Sequence, residues 1–157
     1  MRSAGTNNSP NGRSRKGAGA LAKPLKFQIR SLPLEGRDVQ KRIMDEVERC
    51  GFDDHSVFAI KLSLEEALIN AIKHGNGEDP SKKVHIEAKV TPRKFEVMIE
   101  DEGKGFERSC VPDPTSEENL CKCSGRGILL MERFMNRVQW THGGRRIKMI
   151  KNNEAKR

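Results

Sequence analysis

Glu66-Ala67-Leu68-Ile69-Asn70-Ala71-Ile72-Lys73-His74-Gly75 is the stretch from which the rest of the chain can be read. Ile60 and Leu64 upstream join Ala67, Leu68, Ala71 and Ile72 at three- and four-residue steps, which predicts one long helix with a single buried face. Asp53 or Asp54 can cap its start, and His74-Gly75-Asn76-Gly77 ends it, with Pro80 just beyond. Residues four apart on a helix are separated by about 400° of rotation. Glu66, Asn70 and His74 therefore form a slowly drifting polar stripe beside the apolar face: an acid, an amide and an imidazole in line.

On the N-terminal side, Lys26–Ser31 alternates with the period of a strand. Pro33 and Gly36 read as breakers, and Val39, Ile43 and Val47 then place a helix over Arg37–Cys50 that Gly51 ends. On the C-terminal side, Val84–Val90 and Phe95–Ile99 alternate about a short Thr91–Lys94 connection, as a hairpin would. Glu102–Gly127 is too long and too rich in Gly, Pro, Ser and charge for an ordinary connection. A helix is expected over Gly127–Asn136, then a second hairpin, Val138–His142 and Arg145–Ile150, about Gly143-Gly144. The order strand, helix, helix, two strands, long loop, helix, two strands predicts an α+β two-layer sandwich, a mostly antiparallel sheet with helices on one face.

The chain has 157 residues, 34% hydrophobic and only 4% aromatic, so one domain with an aliphatic core is expected. Its net charge of +8 would suit a polyanion partner, yet the excess lies at the ends. Met1–Pro24 holds five bases and no acid, and Lys151–Arg157 holds three bases against Glu154, which leaves Leu25–Ile150 close to neutral. The expected organisation is a disordered basic tail over 1–24, a folded domain over 25–150 and a flexible tail over 151–157. Direct nucleic-acid binding is not required by this distribution. No apolar run approaches the roughly 20 residues of a membrane span, so a cytoplasmic protein without membrane association is expected. Cys50, Cys110, Cys121 and Cys123 are then reduced thiols, and Cys121-x-Cys123 lacks the spacing of a zinc knuckle.

Two further groups carry chemistry. Asp101-Glu102-Gly103-Lys104-Gly105 follows a predicted strand. A carboxylate there can accept from an exocyclic amine, and the glycines let the backbone pass close to a flat ligand. Alone, D-x-G-x-G is as readily a turn. Gly125-Arg126-Gly127 opens a helix, and free N–H groups, glycines and a guanidinium are the parts of a phosphate cradle.

Their order decides between these readings: an acid/amide helix, a strand ending in D-x-G-x-G, a long loop, then G-x-G opening a helix. This order resembles the Bergerat-fold (GHKL) ATPases, and Glu66–Gly75 resembles the E-A-x-x-N-A-x-x-H-G form of the bacterial anti-sigma factor serine/threonine-protein kinases. The resemblance covers Leu25–Ile150. It implies that Asn70 binds the Mg²⁺ that bridges the phosphates of ATP, and that Glu66 rather than Glu65 is the general base. Asp101 would accept from the adenine amino group, Gly103 and Gly105 would shape the pocket floor, and Gly125, Arg126 and Gly127 would enclose the phosphates. Lys73 would assist the phosphates, while His74, followed by Gly75, would stand at the pocket edge. The implied partners are a small anti-anti-sigma (STAS-type) protein, phosphorylated on serine, and an RNA polymerase sigma factor, with a homodimer as the kinase's own state. The alternative is a catalytically weak, nucleotide-gated binding module. An intact Glu66 favours the enzyme. Cys110, Cys121 and Cys123 are not expected from the family, and Cys121 and Cys123 lie just before the phosphate cradle, where oxidation would disturb ATP binding.

Overall fold

The computed structural model describes residues 22–105 and 126–156. Most of the expected N-terminal tail, and Cys110, Cys121, Cys123 and Gly125 of the long loop, lie outside the described residues. The elements are β1 (Leu25–Arg30), α1 (Pro33–Arg49), α2 (Asp54–Ile69) with a π-helical turn (Asn70–Gly75), β2 (Lys83–Val90), β3 (Lys94–Glu100), α3 (Arg126–Phe134), β4 (Arg137–Thr141) and β5 (Arg146–Asn152). The five strands form one sheet in the order β1-β2-β3-β5-β4, every neighbouring pair antiparallel. This is the α+β architecture that the order of elements predicted.

Strand alternation sets which face the helices cover. Val84, Ile86, Ala88 and Val90 of β2, Phe95, Val97 and Ile99 of β3, and Ile147 and Met149 of β5 are buried in one cluster with Ile43, Val47, Ile60, Leu64 and Met131 of the helices. The opposite face carries charge: Glu96 pairs with Lys148 at 2.7 Å and Glu100 with Arg146 at 2.6 Å across β3 and β5. Partly exposed pairs of this kind contribute little stability each, and they keep that face wettable.

Three expectations are corrected. Pro33 and Gly36 do not break α1. Pro33 stands at its first position, where the missing N–H costs nothing, and Gly36 is buried inside it. A Cβ on Gly36 would lie 2.8 Å from Ile72 Cδ1, so the glycine marks where α1 closes on the end of α2. The long helix is not uniformly α-helical: Asn76 N–H donates to Ala71 C=O, five residues back, at 2.9 Å. Of the two candidate caps, Asp53 is the one used, accepting from Ser56 N–H at 2.9 Å and from its hydroxyl at 2.6 Å.

The third correction concerns the C-terminal boundary. Lys151 and Asn152 continue β5 opposite Phe95 and Lys94, and Glu154–Lys156 form a 3₁₀ turn, so residues 151–156 are not a flexible tail. Its polar residues look solvated in sequence, but Asn153 is buried and its amide N–H groups donate to Gly51 C=O at 3.1 Å and Pro92 C=O at 2.9 Å. One side chain thus joins the α1–α2 turn, the β2–β3 turn and the chain end. Asn153→Ala leaves those carbonyls without these donors and is expected to lower unfolding free energy by about 2 kcal/mol in urea titration. A loss below about 0.5 kcal/mol would show that the clasp carries no stability.

Candidate functional site

A cavity of about 450 Å³ opens between the end of α2, the end of β3, the start of β5 and the start of α3. Its apolar walls come from Ala67, Ala71, Ile99, Ile128, Trp140 and Ile147. Its polar lining comes from Asn70, His74, Asn76 and Asp101, with Lys82, Lys104 and Arg145 adding positive charge. Volume and character suit a small, flat, partly anionic ligand.

Asp101 is the focus. It is 8% exposed, its Oδ1 accepts from Gly103 N–H at 2.8 Å, and its own N–H donates to Arg145 C=O at 3.0 Å. Burial pushes its carboxyl above the ordinary range, against the opposing pull of the Gly103 N–H and of Arg145. Three glycines make room around it. A Cβ on Gly75 would overlap the Asp101 carboxylate, one on Gly103 would overlap the carbonyl of Gly75, and one on Gly105 that of Gly143. Gly105 also has φ +78°, which favours glycine.

Glu66 lies one turn before Asn70, half-buried, while Glu65 is exposed. Burial raises the Glu66 carboxyl, and neighbouring Glu65 raises it further, with His74 opposing. The first turn of α3 sits on Glu66: a Cβ on Gly127 would overlap its carboxylate. Arg126 is exposed at the start of that helix.

Of the residues singled out by sequence, the structure brings Asn70, His74, Gly75, Asp101 and Gly105 to the cavity wall. Gly103 stands behind Asp101, and Glu66 and Gly127 meet beside the wall. Gly125 lies outside the described residues. Lys73 is not brought to the cavity: it lines a separate small groove with Pro33, Gly36, Arg37 and Glu65. Helical rotation is the reason, since Lys73 neighbours His74 and so takes a different face. Sequence reading missed Asn76, Lys82, Trp140 and Arg145. Asn76 was hidden in a Gly-Asn-Gly helix stop, and Arg145 in a turn after two glycines. Only the closeness of the Asp101–Arg145 backbones, joined by the bond described above, reveals Arg145.

A model of the histidine kinase-like ATPase domain matches residues 30–151. The chain belongs to this family. This ATPase domain resembles the anti-sigma F factor of Shouchella clausii, 37% identical over 83 residues, which are 51% of this chain and 56% of that protein. The anti-sigma F factor of Clostridium novyi is 35% identical over 98 residues, 59% of this chain and 68% of that protein. The chain spans about half the length of the first of these curated relatives. Among solved structures, the RsbU and RsbW domains of Rv1364c from Mycobacterium tuberculosis superpose with a TM-score of 0.56 at 14% identity, over 83% of this chain and 31% of that one, which shows a shared fold. The family expected from the three ordered motifs is the family found. Among the described residues of this ATPase domain, no helix is long and apolar enough to cross a membrane.

The raised Asp101 carboxyl has a measurable consequence. Its ionised form is disfavoured in the folded state relative to the unfolded chain, so ionisation subtracts from stability at neutral pH. Asp101→Asn, which keeps an acceptor for Gly103 N–H, is expected to raise the melting temperature of the ligand-free protein at pH 7. The difference should shrink as pH falls through the folded carboxyl's titration and the wild type becomes protonated. A variant less stable at pH 7 would contradict this.

Proposed function

We propose that the chain is an ATP-binding anti-sigma factor serine/threonine-protein kinase. It phosphorylates a small anti-anti-sigma (STAS-type) protein on serine, sequesters an RNA polymerase sigma factor, and works as a homodimer in the cytoplasm. The observation that carries this reading is the buried Asp101 carboxylate in the wall of an apolar cavity of nucleotide size. Membership of the ATPase family and likeness to anti-sigma F factors support it.

In this reading the apolar walls take the adenine ring, and Asp101 accepts from its amino group. Guanine, with a carbonyl there, would leave the buried carboxylate without a donor. In this reading the γ-phosphate lies towards Asn70 and the start of α3, beside Arg126 and Gly127; Gly125, the first residue of the G-x-G, is assigned the same role and lies outside the described residues. Glu66 takes the proton from the partner's serine hydroxyl as that oxygen attacks the γ-phosphorus, and ADP leaves. Its raised pKa brings the carboxylate closer to the proton affinity that a general base at neutral pH needs.

Magnesium fits the residues present. Asn70 offers a neutral amide oxygen at the cavity wall, and among the described residues no cluster of three or more His, Cys, Asp or Glu side chains could hold a metal unaided. In this reading phosphate and water supply the other ligands, as is usual for this ion. When bound, Mg²⁺ neutralises phosphate charge. Positioning and neutralisation are the greater part of phosphoryl-transfer catalysis.

Glu66→Gln is expected to lower serine phosphorylation of an anti-anti-sigma partner by about 10²–10⁴-fold. ATP affinity should stay within about threefold, since Glu66 lies outside the cavity lining. Phosphotransfer at the wild-type rate, followed with γ-labelled ATP, would remove Glu66 as the base.

A further inference from the structure

Asn76 follows the polar stripe directly, has no role in the reading above, and is 3% exposed. Its backbone N–H closes the π-helical turn on Ala71 C=O. Both its amide N–H groups and its carbonyl are engaged. Nδ2 donates to Ser31 Oγ at 2.8 Å and to Lys83 C=O at 2.9 Å, and Oδ1 accepts from Glu102 N–H at 2.8 Å. Ser31, fully buried, donates onward to Lys82 C=O at 2.8 Å, and the Glu102 carboxylate accepts from Lys83 N–H. One amide therefore ties the chain just after β1, the start of β2 and the turn after β3 to the end of α2.

We propose that Asn76 is the positioning residue for base recognition: by holding the Glu102 backbone it fixes the orientation of Asp101, the adjoining residue, in the cavity wall. This rests on the reading of Asp101 as the adenine acceptor. The geometry demands this side chain. Two acceptors and one donor converge on it, and the short amide, with two N–H donors and one carbonyl, matches them. An aspartate would set a buried charge against the Ser31 and Lys83 oxygens, and an alanine would leave the part-buried Glu102 N–H and Lys83 C=O without these bonds. Asp101 has limited tolerance for a shift. Oδ1 is already engaged by Gly103 N–H, which leaves Oδ2 for a ligand, and Gly75 closes against the carboxylate.

A merely structural Asn76 would affect all nucleotides alike, whereas a positioning Asn76 affects only those read through the exocyclic amine. The test measures dissociation constants by calorimetry for ATP and for purine riboside triphosphate, which lacks that amine. The proteins are the wild type, Asp101→Asn, Asn76→Ala, the double variant, and Ser31→Ala, which removes one partner of the same amide. The expected result is about a tenfold loss for ATP in Asn76→Ala, with the analogue changed less than about threefold. Adding Asn76→Ala to Asp101→Asn should cost little more, because both remove the same contact. Ser31→Ala should give a smaller loss, again confined to ATP, and it decides the matter if Asn76→Ala does not fold. Equal weakening of both ligands, additive losses in the double variant, or unchanged ATP binding would overturn the proposal. A wild type that binds both ligands equally, or an Asp101→Asn protein that still prefers ATP, would overturn the adenine reading itself and this inference with it. Discrimination lost in Asp101→Asn but kept in Asn76→Ala and Ser31→Ala would overturn the inference alone.

Discussion

The cavity depends on how closely the end of α2 approaches the turn after β3. Gly75 meets the Asp101 carboxylate, and Gly103 meets the Gly75 carbonyl, at separations that a side chain at either position would forbid. The π-helical turn ends at Gly75, so the closing hydrogen bond and the close approach coincide. Wider turns of this kind recur at functional sites because they displace the backbone without ending the helix. Here that displacement sets a carboxylate, an amide and an imidazole around one space.

The site's electrostatics oppose its own folding. Asp101 and Glu66 are both raised by burial, so each ionised carboxylate costs stability that a neutral group would not. Structures retain such costs where the group is used, and both carboxylates stand where the proposed chemistry needs an acceptor and a base. Lys82, Lys104 and Arg145 line the same cavity. They supply positive charge locally in a folded region that is nearly neutral as a whole.

The net charge of +8 illustrates how a global number misleads. Divided along the chain it belongs mainly to the ends, and the C-terminal end is itself part of the sheet through Asn152. Lys151 there is 4% exposed, with its ammonium 3.6 Å from Glu154. Polarity in sequence was a poor guide because cross-strand pairing with β3 and the Asn153 clasp hold that segment in place, with Lys151 and Asn153 buried.

Periodicity in the sequence by itself determined the elements, their order and the two-layer architecture, because side-chain alternation in strands and three- and four-residue spacing in helices are local properties of the backbone. It also singled out Glu66, Asn70 and Asp101, whose neighbours along the chain form recognisable motifs. Tertiary structure alone decided the rest. Gly36 sits buried inside α1 rather than ending it, and a Cβ there would meet Ile72. Arg145 joined the wall through a backbone contact with Asp101 from far along the chain. Asn76, which reads as a helix stop, became a junction because Ser31 and Glu102, both far along the chain, join Lys83 in bringing it two acceptors and a donor. These are contacts between residues remote in sequence, and no local pattern encodes them.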